Sequence, residues 1–523
     1  MLPELEKGRV LRQVQGSFAG GLWHRQHLAS NTYFDGENYT ASHYPALASR
    51  LPRRIWQMLS EGAQGMYAAS ALYLISQGEL LVARNYLHTE SLGKLTDTPK
   101  VLGALGNQLL ILPDFAVLDT VTQTLDKRKV VMNMGQVYVR NQDYLDENGI
   151  AKAIKLNTLH CNDYIFTDYF KPGDSVLLQG TMYNDGAYTI RAVGEYDLRF
   201  DENSFVPEDI LGCTLTNRPP EMEQLCACGG RLWGFAGSRI YASAPGQPDN
   251  WYRYDGDGQS SYTVDVPDGG DFTACISHGG HPVFFKSGCM VEIFGDSPEN
   301  FAVSTVQLAG VKRDSAHSVC SVGGELLYLS DCGVVRCSGS GTQLLSEPLG
   351  TALSEGFAST DGRSYYLCAK GEDGVRRLYV FDTCYRIWHV QDGTDLSAMA
   401  AMDGEIYAYA QNGTVYLLAD SSTQKGIASE TVSSYVTLDP LEDAARGQIV
   451  PVRLGLRVWC SAGSHLSLYV SYDGGEWQKR ADLQADGERM WYVPLSPQSC
   501  FSLGVRIEGV GQYCLRSVVR EYR

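Results

Sequence analysis

Residues able to do chemistry are plentiful in this chain, but few stand at the spacings a reaction needs. Asp255 and Asp257 alternate with glycines, as carboxylates do at the opening of a calcium loop. The third acidic position and the closing glutamate of such a loop are missing, so the stretch reads as a solvated turn. Asp201 and Glu202 stand in similar turn-like text. With 60 acidic residues, the fold can still assemble a carboxylate pair about 5–9 Å apart, the arrangement that cleaves glycosidic bonds, and spacing does not exclude one. His24, His27 and His43 lack the neighbouring carboxylate or thiol spacing of a metal centre. The fourteen cysteines are scattered, and the nearest pairs, Cys226 with Cys228 and Cys332 with Cys337, do not repeat at zinc spacing. Cys275, Cys320, Cys368 and Cys460 fall inside apolar runs, where a thiol acts as a small hydrophobe. A reducing compartment follows from that usage. No nucleophile elbow, HExxH pair, phosphate loop or dinucleotide fingerprint occurs. The sequence predicts no catalytic residue, no metal site and no cofactor.

What remains are side chains suited to contact. Arg50, Arg53 and Arg54 cluster around Pro52. They are candidates for an intersubunit contact with an acidic neighbour, set against the reading that they form a solvated loop. Trp477 and Trp491 are candidates for stacking on a glycan. Trp251 and Phe301 close two parallel stretches, APGQPDNW and FGDSPENF, and are expected to pack between repeated units. SYDGGEW (471–477) comes near the sialidase Asp-box but is one residue short before the aromatic, so it reads as an Asp-Gly hairpin turn.

The elements that must position these residues announce themselves by repetition. A Gly turn, a short apolar run, a polar gap and a second apolar run recur at GGRLWGF–SRIYAS (229–243), GGHPVFF–GCMVEIF (279–294) and GGELLYL–CGVVRCS (323–338). Weaker copies occupy 361–381 and 403–418. The turn glycines Gly230, Gly280, Gly324, Gly362 and Gly404 are spaced by 50, 44, 38 and 42 residues. Such a period marks repeated supersecondary units, and paired short strands fit propeller blades better than helical repeats. Residues 66–87 and 101–120 add two degraded copies, so the expected fold is all-β: a β-propeller of about seven blades. Around it we expect an N-terminal arm over 1–64, first blades over 65–140 and an inserted small β module over 141–212. The remaining blades fill 213–424, and a C-terminal β-sandwich over 425–523 follows, marked by period-two alternation.

Composition agrees. The chain has 523 residues, 55 of them Gly and 31 Tyr, with only 20% charged, which suits short strands and turns rather than disorder. No apolar run is long enough to span a membrane, and the N-terminus lacks the apolar core of a signal peptide, so folding in a cytoplasm is expected. The net charge of −17 excludes gripping nucleic acid by phosphate neutralisation. An acidic wall can still surround DNA without holding it; the simpler role of the charge is solubility.

The stretches FDGENYTASHYPALASR, NRPPEMEQLCACGGRLWGFAGSRIYASAPGQPDNWY, PVFFKSGCMVEIFGDSPENFAVSTVQLAGV, GELLYLSDCGVVRCSG and LYVFDTCYRIWHVQDGT resemble a largely uncharacterised family of tailed-phage and prophage proteins. The propeller plan is similar to nozzle and packaged-DNA-stabilising proteins in the necks of short-tailed phages. The resemblance implies a non-catalytic virion protein of the neck or tail, made in the host cytoplasm. It implies a ring of six or twelve copies, contacts with portal, adaptor or tail proteins, and DNA surrounded without sequence-specific binding. Two alternatives stay open: a tail-tip or fibre-associated propeller binding a host-surface glycan, and a polysaccharide-degrading propeller enzyme.

Overall fold

The computed structural model describes residues 10–24, 31–127, 130–145, 151–200, 204–254, 258–339, 341–393, 395–418, 426–428, 431–443, 445 and 447–523. They form two compact units. One holds 62–84 and 89–319; the other holds 1–61, 85–88 and 320–523. Strands dominate both.

The first unit contains four antiparallel four-stranded meanders. The first sheet runs Ala63–Ala68, Leu72–Ser76, Glu79–Ala83 and Thr89–Lys94; the second runs Val101–Leu105, Gln108–Leu112, Ala116–Asp119 and Thr124–Lys127. The third is Gln224–Cys228, Arg231–Ala236, Arg239–Ala242 and Tyr262–Asp265, and the fourth is Ala274–His278, His281–Phe285, Cys289–Phe294 and Ala302–Gln307. The first strand of each sheet packs against the first strand of the next. That packing is propeller-like: each sheet buries the face its neighbour leaves open. The turn residues Gly230 and Gly280 have φ of 72° and 84°, a region where a side chain would be strained. Trp251 and Phe301 pack as expected. Trp251 is buried with its Nε1 donating to the Pro248 carbonyl, and the Phe301 ring lies 5.2 Å from Trp233 and 4.9 Å from Tyr262.

Between the second and third sheets the inserted module is a closed six-stranded barrel over Val131–Leu145, Ala151–Cys161, Asp197–Phe200, Gly186–Val193, Ser175–Gln179 and Glu208–Thr216. It begins at 131, ten residues before the expected boundary. The 15-residue first strand, VMNMGQVYVRNQDYL, follows the second meander directly, and its apolar–polar text resembles that of a blade strand. Closure removes sheet edges, and Val137, Leu159, Val176, Leu198, Phe200 and Leu215 fill the interior.

The second unit holds three further meanders. The fifth sheet is Cys320–Val322, Glu325–Ser330, Gly333–Cys337 and Thr342–Leu344, and the sixth is Ser354–Thr360, Ser364–Lys370, Arg376–Asp382 and Ile387–Gln391. The seventh comprises Leu396–Met402, Glu405–Ala410 and Thr414–Leu417, and takes its next strand, Arg54–Met58, from far upstream. Two six-stranded sheets follow, both built from the C-terminal region together with N-terminal strands. One joins Gly487–Pro494, Pro451–Cys460, Tyr513–Tyr522, Leu47–Ser49 and Tyr39–Thr40, with Leu11–Gln15 on the free side of Tyr513–Tyr522. The other joins Asp35–Glu37, Ser433–Thr437, Ser502–Val510, His465–Tyr472 and Gln478–Gln484, with Leu441–Glu442 also paired to Ser502–Val510. Leu454, Leu456 and Val458 of one and Leu466, Val505 and Ile507 of the other share a core. The first 64 residues are therefore no separate arm. Leu11–Gln15, Asp35–Glu37, Tyr39–Thr40, Leu47–Ser49 and Arg54–Met58 join sheets completed by residues far downstream, which is why this stretch carries no repeat of its own.

Candidate functional site

Asp35 and Glu37 sit two apart on a strand, which places both carboxylates on one face with Cα atoms about 7 Å apart. The strand reaches that position by pairing with Ser433–Thr437, Asp35 opposite Thr437 and Glu37 opposite Tyr435. Tyr435 Oη donates to Asp35 Oδ2 at 3.1 Å, and Arg377 Nε donates to Glu37 Oε1 at 3.3 Å. Arg377 Nη1 also lies 2.7 Å from Asp373 Oδ2, and the Arg506 guanidinium stands 4.3 Å over the Tyr435 ring. Cavities of about 440 and 420 Å³ flank this wall, and Glu37 and Tyr435 line both.

The electrostatics differ across the site. Burial raises the Glu37 carboxyl above the usual carboxylate range, with Arg377 opposing only in part. The Val375 N–H, then Arg377, hold Asp373 below that range. Burial lowers the His24 imidazole, whose Nε2 is 3.8 Å from Asp35 Oδ1. Two same-face carboxylates, a phenol and two guanidinium groups line the wall, each already engaged: Tyr435 with Asp35, Arg377 with Glu37 and Asp373, and Arg506 Nε with Glu508 Oε1 at 2.9 Å. Carboxylate oxygens and guanidinium nitrogens of this kind are the groups that hold a hydroxyl-rich ligand. Among the described residues no group of three His, Cys, Asp or Glu side chains could hold a metal ion.

The arginine cluster is resolved differently from expectation. Arg50 and Arg53 are each only 3% exposed, so they form no solvated loop. Arg50 Nη2 donates to Asp392 Oδ1 at 3.1 Å and Arg50 Nε to Asn38 Oδ1 at 2.7 Å; Arg53 Nη2 lies 2.9 Å from Asp392 Oδ1. Both guanidinium groups are engaged inside the chain in place of a neighbouring subunit. Arg54 donates to the Gly426 carbonyl at 3.0 Å, fastening the seventh sheet. Arg-x-x-Arg around a proline gave no sign of Asp392, more than 300 residues away.

Trp477 and Trp491 are not brought together on one sheet. Trp477 is 40% exposed at the turn before Gln478–Gln484, whereas Trp491 lies on Gly487–Pro494 and packs partly against the core. The turn before Trp477 is an Asp-Gly hairpin, with φ of 53° at Asp473 and 70° at Gly474. All fourteen cysteines are free thiols; Cys332 and Cys384 are exposed and most of the others buried. Asp201, Glu202, Asp255, Asp257 and His27 lie outside the described residues. Asp35, Glu37, Arg377 and Tyr435 escaped sequence reasoning, because only the pairing of residues about 400 positions apart creates the site.

No protein-family model matches the chain, and no curated protein matches it. Among solved structures it is similar to BamB from Moraxella catarrhalis, at 13% identity and a TM-score of 0.35 over 70% of this chain and 97% of that one. It is similar to U3-55K at 9% identity and a TM-score of 0.34, over 70% and 98%. An exo-beta-1,3-galactanase from Phanerochaete chrysosporium follows at 11% identity and 0.23, over 57% and 94%. Likeness at these scores says nothing of activity; the strand order and packing above carry the assignment of an all-β, propeller-like fold.

Proposed function

We propose that the chain is a structural protein of a phage virion, placed at the neck or tail and made in the host cytoplasm. It acts without catalysis, as a ring of six or twelve copies that meets portal, adaptor or tail proteins and surrounds DNA without reading its sequence. In this reading each of the seven sheets is a propeller blade, and the two C-terminal sheets form a β-sandwich. The observation that carries the reading is how the two ends of the chain are built into each other. Leu11–Gln15 pairs with Tyr513–Tyr522, and Arg54–Met58 completes the sheet of Thr414–Leu417. The buried Arg50 and Arg53 lock the same region onto Asp392. Strands far apart in sequence that pair with one another tie the unit together, which suits a part that stays folded under load. The test is mass spectrometry of purified virions together with native mass and negative-stain images of the pure protein. Presence in virions at six or twelve copies supports the reading; absence from virions removes it.

The cleft at Asp35, Glu37 and Tyr435, with exposed Trp477 on the same unit, favours a second reading as a glycan-binding protein. A glycan array separates the two: binding that is lost in Trp477→Ala or Glu37→Gln selects the second reading.

A further inference from the structure

The sheet of Gly487–Pro494, Pro451–Cys460, Tyr513–Tyr522 and Leu11–Gln15 has two unlike faces. Alternation sends Leu454, Leu456, Val458 and Cys460 into the core and Arg453, Arg457 and Trp459 to the other side. Register extends that outer face across four strands: Tyr492 opposite Gly455, Met490 opposite Arg457, Glu488 opposite Trp459, Glu521 opposite Arg453 and Arg12. Trp459 is 39% exposed, Tyr492 48% and Val14 57%.

The charges on this face are arranged as two triads. Glu521 is shared by Arg12 at 2.7 Å and Arg453 at 2.8 Å, and Glu488 by Arg457 at 2.6 Å and Arg516 at 3.6 Å. Each triad keeps one positive charge in excess. The Arg453 guanidinium also lies 4.4 Å over the Tyr492 ring, which holds both flat. The rest of the chain is strongly acidic, since the total is −17. Exposed Trp, Tyr and Met among arginines is the composition of interface centres, not of ordinary surface.

The geometry points to this face as the contact by which one copy docks on an acidic surface of a second copy. The aromatic side chains supply the desolvated centre, and each triad accepts a further carboxylate. Because a basic face meets an acidic one, the contact is head-to-tail, the kind that builds a ring where its rotation closes. The inference rests on the homo-oligomer proposed above and names the surface that makes it.

The experiment is sedimentation of the full chain at low and high salt, for wild type, Trp459→Ser and Arg457→Glu, with thermal midpoints measured in parallel. Both side chains are exposed, so the midpoints are expected to hold within a few degrees. Wild type is expected to associate, more weakly as salt rises, and each variant to associate at least tenfold more weakly. Association that neither variant changes overturns the face while leaving the ring intact. A wild type that stays monomeric, yet binds an anionic duplex through this face, overturns the second-copy partner. The placement in the virion is judged separately, by its detection there.

Discussion

The fourth and sixth sheets are the same unit of structure with opposite fates for the outermost strand. In the fourth, Ala302–Gln307 reads AVSTVQ and is exposed at alternate or adjacent positions along its length. In the sixth, Ile387–Gln391 reads IWHVQ and is buried at every position. The difference lies in what the rest of the chain does. Gly21–Leu22, Asp35–Glu37 and Tyr39–Thr40 pack on Ile387–Gln391, so an outer strand becomes an inner layer. The approach is close: at Gly21, with φ of 66°, a Cβ would sit 2.7 Å from Ile387 Cβ. A blade edge is therefore not intrinsically peripheral; its burial depends on what is laid over it.

Substitutions on the two strands should separate by their cover. Trp388 is buried and its Nε1 donates to the Leu345 carbonyl at 2.8 Å. Trp388→Ala is expected to cost about 4 kcal/mol in urea unfolding; a cost under about 1 kcal/mol would show that the cover is loose. Next comes the clamp beside that strand. Asp392→Ala leaves Arg50 and Arg53 buried without their carboxylate and is expected to cost about 3 kcal/mol, read from the shift of the urea midpoint.

The same cover sets a pH dependence. Burial lowers the His389 imidazole to about 4, and its Nδ1 lies 3.1 Å from Tyr33 Oη. Between pH 6.5 and 4 the unfolded chain binds a proton that the folded chain does not. Stability is therefore complete above 6.5 and falls as pH drops through that window, by up to about 3 kcal/mol. Urea titrations at pH 7, 5.5 and 4.5 should show the decline, and His389→Gln should flatten it. The smallest effect belongs to the open strand, where Val303, 38% exposed, is expected to tolerate Val303→Lys within about 0.5 kcal/mol.

The contrast also explains what the sequence disclosed. The Gly turns and the second and third strands of each sheet were legible, because Arg231–Ala236 or His281–Phe285 are continuous apolar runs set off by glycine. Outer strands such as Thr124–Lys127 and Ala302–Gln307 were not, since a half-exposed strand of small or polar residues has no pattern to distinguish it from a loop. The paired C-terminal sheets were foreshadowed by alternation at 450–460 and 501–511, but Asp35–Glu37, Tyr39–Thr40 and Leu47–Ser49, which join them from the N-terminal side, are too short to carry any period. The cleft was illegible for the same reason. Its carboxylates lie in FDGENYT, which reads as turns until Ser433–Thr437 is alongside.

Strand Arg54–Met58 leaves the ribosome long before its partner Thr414–Leu417 exists, and Leu11–Gln15 waits longer still for Tyr513–Tyr522. At roughly 5–20 residues per second the first of these delays lasts about 20–70 s. During it, Arg54–Met58 and Leu11–Gln15 lack their sheet partners, while Tyr39–Thr40 and Leu47–Ser49 already have each other. A chain cut short before Thr414 leaves Arg54–Met58 without its place in the seventh sheet, so this unit cannot be finished from its N-terminal side alone.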